Sequence, residues 1–196
     1  MHIDYKVPNK LERKVCLVVI DMQNCFFEEE GCLEKYKDRI SNIASAIRAF
    51  RGHGRDVFII RFMGENHSDN DDRSLIDGLG DISDCKIVDK YHMSAFFNTE
   101  LADLMVNGGY DTALLCGSYA EHCVMASYWS CYERDLSPYL LEGAVIAYDD
   151  EKLRSVMDIC MYYTLDEMME NLEKVKVDPE EGKLKNRMRR KYWYIN

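Results

Sequence analysis

Apolar positions along the chain fall in short β-rich runs separated by stretches with a three-to-four-residue apolar period. That alternation predicts an α/β fold built on a parallel sheet. The run VCLVVI at 15–20 is apolar at every position, as a strand buried on both faces requires. Behind it, Ile40, Ile43, Ala44, Ile47 and Phe50 mark one face of a helix over 33–50, which Gly52 and Gly54 stop. Residues 57–60 read as a second strand. From 62 to 84 the chain is polar, with apolar clusters only around Leu75 and Ile82, and such long irregular connections in compact domains are usually functional. Next come a third strand at 86–88, a helix at 99–106 closed by Gly108 and Gly109, and a fourth strand at 112–116. After Gly117 the pattern predicts a helix over 121–134, strands at 139–141 and 145–147, helices from 150 to 172, and a last strand at 175–177. No repeat or linker divides the pattern, so residues 1–196 read as a single domain.

Composition narrows the function classes. The longest apolar runs fall far short of the roughly 18 residues that a bilayer-spanning helix needs. A net charge of −10 disfavours a nucleic-acid surface over the chain as a whole. That charge is unevenly spread: Lys183, Lys185, Arg187, Arg189, Arg190 and Lys191 stand in a basic aromatic tail at 183–196. Taking those six positive charges away leaves −16 on the body. The tail's Tyr192, Trp193, Tyr194 and Ile195 need a surface; the acidic body of this or a neighbouring subunit is the expected one, with an anionic partner as the alternative. The eight cysteines follow a start, MHIDYKVPNKLERK, without the apolar core of a signal peptide. The thiols are therefore expected to stay reduced in the cytoplasm. Neither C-x-x-C nor a zinc-like Cys/His spacing is present, so most of the thiols read as small buried hydrophobes.

Three segments place a reactive residue just beyond a β-element: Asp21 in DMQNCF, Lys90 in DKYHMSAF and Cys123 in GSYAEHCV. In doubly wound sheets ligands bind outside the carboxyl ends of the strands, where strand order reverses. Carboxylate, ammonium and thiol meeting there form a nucleophilic triad that needs no histidine. A helix N-terminus and the ammonium are expected to lower the thiol pKa, while the carboxylate takes the thiol proton and returns it to a leaving amine. Backbone N–H groups of a tight 117–123 turn are candidates for an oxyanion hole. Phe26, Phe27, Tyr91 and Tyr119 stand close enough in sequence to line a pocket for a small planar substrate. His92 and His122, one or two residues from a member of the triad, are expected to point elsewhere.

These segments resemble the isochorismatase-like cysteine hydrolases, which include nicotinamidases, N-carbamoylsarcosine amidases and ureidoacrylate amidases. Asp21, Gln23 and Phe26 fit the family's D-x-Q-x-x-F; Lys90, Ser94, Ala95, Phe96 and Thr99 fit K-x-x-x-S-A-F with its following T; Cys116, Gly117, Cys123 and Val124 fit C-G-x-x-x-x-x-C-V. The resemblance implies a three-layer, Rossmann-like doubly wound α/β fold with a central, mainly parallel six-stranded sheet. It also implies Asp21 as general base and acid, Lys90 as thiolate stabiliser and Cys123 as nucleophile. A non-proline cis peptide would join Ser118 and Tyr119, and the N–H groups of Tyr119 and Cys123 would face the oxyanion. The family usually has small residues where Ser118, Tyr119 and Ala120 stand, so Tyr119 is expected to reshape the pocket around Phe26 and Tyr91. Nicotinamidases of the family carry a metal-binding Asp-x-His and a later His; the matching RFMGENH at 61–67 has no such pair. Only Glu65 and His67 could be ligands there, and no catalytic metal or other cofactor is expected. The implied activity is hydrolysis of a small amide or ureido C–N bond through a thioester, in a homo-oligomer without nucleic-acid or membrane partners. The alternatives are a non-catalytic binding or assembly module and an isochorismate-type vinyl ether hydrolase.

Overall fold

A computed structural model describes residues 9–64 and 72–183. Six strands form one sheet: β1 (Val15–Ile20), β2 (Val57–Phe62), β3 (Lys86–Lys90), β4 (Thr112–Gly117), β5 (Ser137–Val145) and β6 (Tyr162–Tyr163). Their spatial order is β3-β2-β1-β4-β5-β6, and all five pairings are parallel. The chain runs outward from β1 to β3, then crosses back to place β4 on the other side of β1. Strand order therefore reverses between β1 and β4, where a crevice opens beyond the strand ends.

Alternating side chains of β1 feed two cores. Val15, Leu17 and Val19 face helices α2 (Lys37–Gly52) and α6 (Leu165–Lys174), where Ile43, Ile47, Phe50, Met168 and Leu172 are buried. Cys16, Val18 and Ile20 face α3 (Leu101–Asn107), α4 (Met125–Tyr132) and α5 (Asp150–Ile159), with Met105, Tyr128 and Val156 packed against them. A sheet covered on both faces is why the strands read as continuous apolar runs rather than alternating ones.

The structure corrects several element boundaries. The helix expected over 33–50 is two: a short α1 (Cys32–Lys35) ends at Tyr36, whose buried hydroxyl donates to the Ala147 carbonyl at 2.9 Å, and α2 follows. The strands expected at 139–141 and 145–147 are one bulged strand, β5. Its pairing with β4 slips between Leu115 and Gly117, and Gly143 takes φ +73° at the bend. The helices expected from 150 to 172 are separated by β6. Thr164 caps α6 reciprocally with Glu167, its hydroxyl accepting the Glu167 N–H at 3.1 Å while the Glu167 carboxylate accepts the Thr164 N–H at 2.9 Å. Residues 175–177 are not a strand; the Val175 N–H closes α6 on the Asn171 carbonyl at 2.9 Å. In the connection expected to be irregular, Leu75 bridges Gln23, Ile76 and Leu79 are buried, and residues 65–71, with Glu65 and His67, lie outside the described residues. Of the basic tail, only Lys183 is described, paired with Glu180 at 2.7 Å. No helix among the described residues is long and apolar enough to cross a membrane.

Candidate active site

Close packing at the switch point starts with Gly117, the last residue of β4. It has φ +105°, and a Cβ there would stand 2.2 Å from the Ile20 carbonyl oxygen, so only glycine lets β4 end against β1. Asp21, one residue beyond β1, also takes a left-handed φ of +51°, an uncommon conformation that Asp tolerates better than most residues. Its N–H donates to Ile60 at 3.0 Å, and its carbonyl accepts the buried Ser118 hydroxyl at 2.9 Å. Gln23 locks the same loop. Its buried amide accepts from the Phe62 N–H at 2.7 Å and donates to the carbonyls of Phe62 at 3.2 Å and Arg73 at 2.9 Å.

Lys90 ends β3 at the edge of the sheet, yet its side chain is wholly buried. The ammonium lies 2.8 Å from Asp21 Oδ2 and 3.1 Å from Cys123 Sγ, and donates to the carbonyls of His92 and Met93 at 3.2 Å each. An ammonium can be buried only with such compensation. The residues after Lys90 hold this arrangement against α4. Ser127 Oγ donates to the Cys123 carbonyl at 2.6 Å and accepts the Ala95 N–H at 2.9 Å. Ser94 meets Ser130 at 2.8 Å, and the Thr99 hydroxyl donates to the Ala95 carbonyl at 2.6 Å. The small hydroxyl residues of the Lys90 segment thus fasten the ammonium's loop to the thiol's helix. Ser127 and Ser130 are the partners the sequence did not single out.

Cys123 lies within a π-helical turn, Ala120–Val124, that leads into α4; such turns are rare and frequent at functional sites. The His122 and Val124 N–H groups both donate to the Tyr119 carbonyl, and that of Ala120 to Ile146. The Ser118–Tyr119 peptide is cis, as the resemblance implies. One expectation is reversed: the thiol pKa is not lowered but pushed up to about 12. Burial is the largest cause and the Asp21 charge adds to it; Lys90 opposes both without cancelling them. Burial and Asp21 together favour the protonated thiol, which is hydrogen-bonded to Asp21 and in contact with the Lys90 ammonium.

Aromatic rings pack around Tyr119, at the head of the turn that carries Cys123. Tyr119 donates its hydroxyl to the Phe26 carbonyl, meets the Phe26 ring edge-on at 6.4 Å and stacks on Tyr148 at 4.2 Å and 20°. Phe27 is buried beside Tyr119, at 6.3 Å. Tyr91, by contrast, is 62% exposed and outside this ring cluster. His92 packs edge-on against Phe97 and His122 against Tyr148. A cavity of about 460 Å³ is lined by Phe26, Tyr36, Tyr119 and Tyr148, with Glu28, Glu29 and Glu30 along it. Tyr148 was missed from sequence. The only signal for it was its place just past the carboxyl end of a predicted strand. Among the described residues no three His, Cys, Asp or Glu side chains cluster as a metal site.

The all-parallel six-stranded sheet, with Asp21, Lys90 and Cys123 brought together at its switch point, is the arrangement expected of the isochorismatase class. The family model described as Isochorismatase domain matches residues 15–161, and the chain belongs to that family. It is 30% identical to the phenazine biosynthesis protein PhzD1 of Pseudomonas aeruginosa over 104 residues, 50% of each chain. It is 32% identical to a protein named "Probable isochorismatase" of Pseudomonas chlororaphis over 80 residues, 41% of this chain and 39% of that one. The matches thus span half or less of the length of these curated relatives. The N-carbamoylsarcosine amidase structure from Thermoplasma acidophilum superposes with a TM-score of 0.67 at 22% identity, covering 77% of this chain and 95% of that one. At that identity the likeness is one of fold.

Proposed function

We propose that this chain is a cysteine hydrolase that cleaves a small amide or ureido C–N bond through a thioester. The observation that carries the reading is one buried ammonium in contact with both a carboxylate and a thiol, Lys90 between Asp21 and Cys123. Burial and the Asp21 charge raise the thiol pKa above its ordinary value, so in this reading the proton leaves as the carbon–sulfur bond forms. Asp21, hydrogen-bonded to the thiol, takes that proton. Lys90 holds the negative charge on sulfur as it develops, and the N–H groups of Tyr119 and Cys123 face the oxyanion. Protonated Asp21 then delivers its proton to the leaving nitrogen as the C–N bond breaks. A water yields a proton to Asp21, its oxygen attacks the thioester carbon, and the carbon–sulfur bond breaks as the proton returns to sulfur. No net proton or electron is consumed at the enzyme.

The similarity to PhzD1 and to the P. chlororaphis protein favours a second reading, hydrolysis of an isochorismate-type vinyl ether, in which Asp21 protonates the substrate and the thiol is a bystander. Cys123→Ala separates the two. Assayed on small amides, ureido acids and isochorismate, the variant is expected to lose amide turnover by more than about a thousandfold. A vinyl ether hydrolase would keep its rate in Cys123→Ala and lose it in Asp21→Asn.

A further inference from the structure

The tyrosines around the candidate site differ in what their hydroxyls do. Tyr36 donates to Ala147, and Tyr119 to Phe26. Tyr148, half exposed on the connection between β5 and α5, makes no hydroxyl hydrogen bond among the described residues. Everything else about it is fixed. Its ring stacks on Tyr119 and meets the His122 ring edge-on at 5.6 Å; its N–H donates to Glu121 at 3.1 Å, and its carbonyl accepts from Lys35 at 3.3 Å. A held ring carrying a free donor is pre-organised for a ligand, because little side-chain freedom remains to be lost on binding.

The ring also stands beside the nucleophile turn, in contact with Tyr119 and His122. Tyr148 lines the 460 Å³ cavity together with Tyr119, the residue that opens the nucleophile turn, and lies within electrostatic reach of the Cys123 thiol. The groups acting on it are Glu121 and Glu29 on one side and Lys152 on the other, whose ammonium stands 5.5 Å from the ring centroid. Burial and Glu121 keep the phenol neutral, and on the adjoining wall Glu28, Glu29 and Glu30 outnumber Lys35, which leaves it unfavourable for an anion.

We propose that Tyr148 is a specificity-determining residue whose hydroxyl donates a hydrogen bond to an uncharged acceptor on the substrate, selecting neutral polar compounds over carboxylates. This rests on the reading of Cys123 as the reacting centre. The probes are 4-acetylbenzamide, its hydrocarbon isostere 4-isopropylbenzamide, and 4-carboxybenzamide. Their dissociation constants are measured by calorimetry on Cys123→Ala and on Cys123→Ala/Tyr148→Phe, so that binding is read without turnover. One net hydrogen bond corresponds to about a 3- to 10-fold preference for acetyl over isopropyl, with the carboxylate weakest. Tyr148→Phe is expected to erase that preference while leaving 4-isopropylbenzamide within about twofold, because the ring and its stack remain. An acetyl preference that survives Tyr148→Phe, an equal loss on both neutral probes, or no binding by any of the three overturns the assignment. If Cys123→Ala still turns the amides over at the rate of the unmodified enzyme, the thiol mechanism fails separately, and the binding comparison still decides the role of Tyr148.

Discussion

At Cys123 three influences compete, and their ranking has a counter-intuitive consequence. Burial and the Asp21 carboxylate raise the thiol pKa more than Lys90 lowers it, so the residue that serves as base in the proposed reaction is also one that keeps the nucleophile protonated. Asp21→Asn removes a negative charge next to sulfur, which must lower the thiol pKa from about 12. Alkylation of Cys123 by iodoacetamide at pH 9, followed by peptide mass, is therefore expected to run faster in Asp21→Asn than in the parent. Substrate turnover is expected to fall by about 10²–10⁴, because the general base is gone. Slower alkylation in the variant would show that Asp21 does not hold the thiol in its neutral form. The expectation of a lowered pKa was drawn from two features readable in sequence, a helix start and a lysine. Depth of burial and the side of sulfur on which Asp21 stands are not readable there.

The elements divide by how local their causes are. β1, β2 and β4 were legible because each is a run of apolar β-rich residues that needs cover on both faces, and the structure supplies it. The break between α5 and α6 was legible in principle. Thr164 and Glu167 form the S/T-x-x-E signature of a helix start, but the apolar period on both sides of it concealed the interruption. The joining of two short runs into β5 was not legible, since the bulge at Gly143 answers to the register of β4 rather than to anything near it in sequence. Thr164→Ala tests the reciprocal cap. Losing it is expected to destabilise the fold by about 1 kcal/mol, about 2–4 °C in a chain of this length, read by thermal denaturation. The Cys123 chemistry should be unaffected, because the cap lies away from the crevice. No loss of stability would mean that α6 is held by its packing on the sheet alone.

Across the whole molecule, the Asp21–Lys90 pair joins the end of β1 to the end of β3, spanning β2 between them. Removing one partner of a buried ion pair leaves an uncompensated charge and costs about 3–5 kcal/mol; replacing both with apolar residues of similar size is often neutral or stabilising. Asp21→Ala and Lys90→Met are each expected to unfold at lower urea than the parent, and Asp21→Asn/Lys90→Met, which keeps a residue tolerant of the left-handed φ at position 21, to recover most of the Lys90→Met loss while being inactive. A double variant as unstable as the singles would show that the pair holds the sheet edge in place, over and above any chemistry. The parallel α/β architecture followed from hydrophobic period alone. The meeting of Asp21, Lys90 and Cys123 was expected from their places beyond three strands and from the resemblance, but its distances depend on strand order reversing beside β1, a property of the entire sheet.

That reversal also sets a timetable. Because β4 crosses back to pair with β1 after β3 is complete, Cys123 leaves the ribosome 33 residues behind Lys90 and later still than Asp21. Cys123 is the last of the three to be made, so an unfinished chain lacks the thiol contact that completes the candidate site.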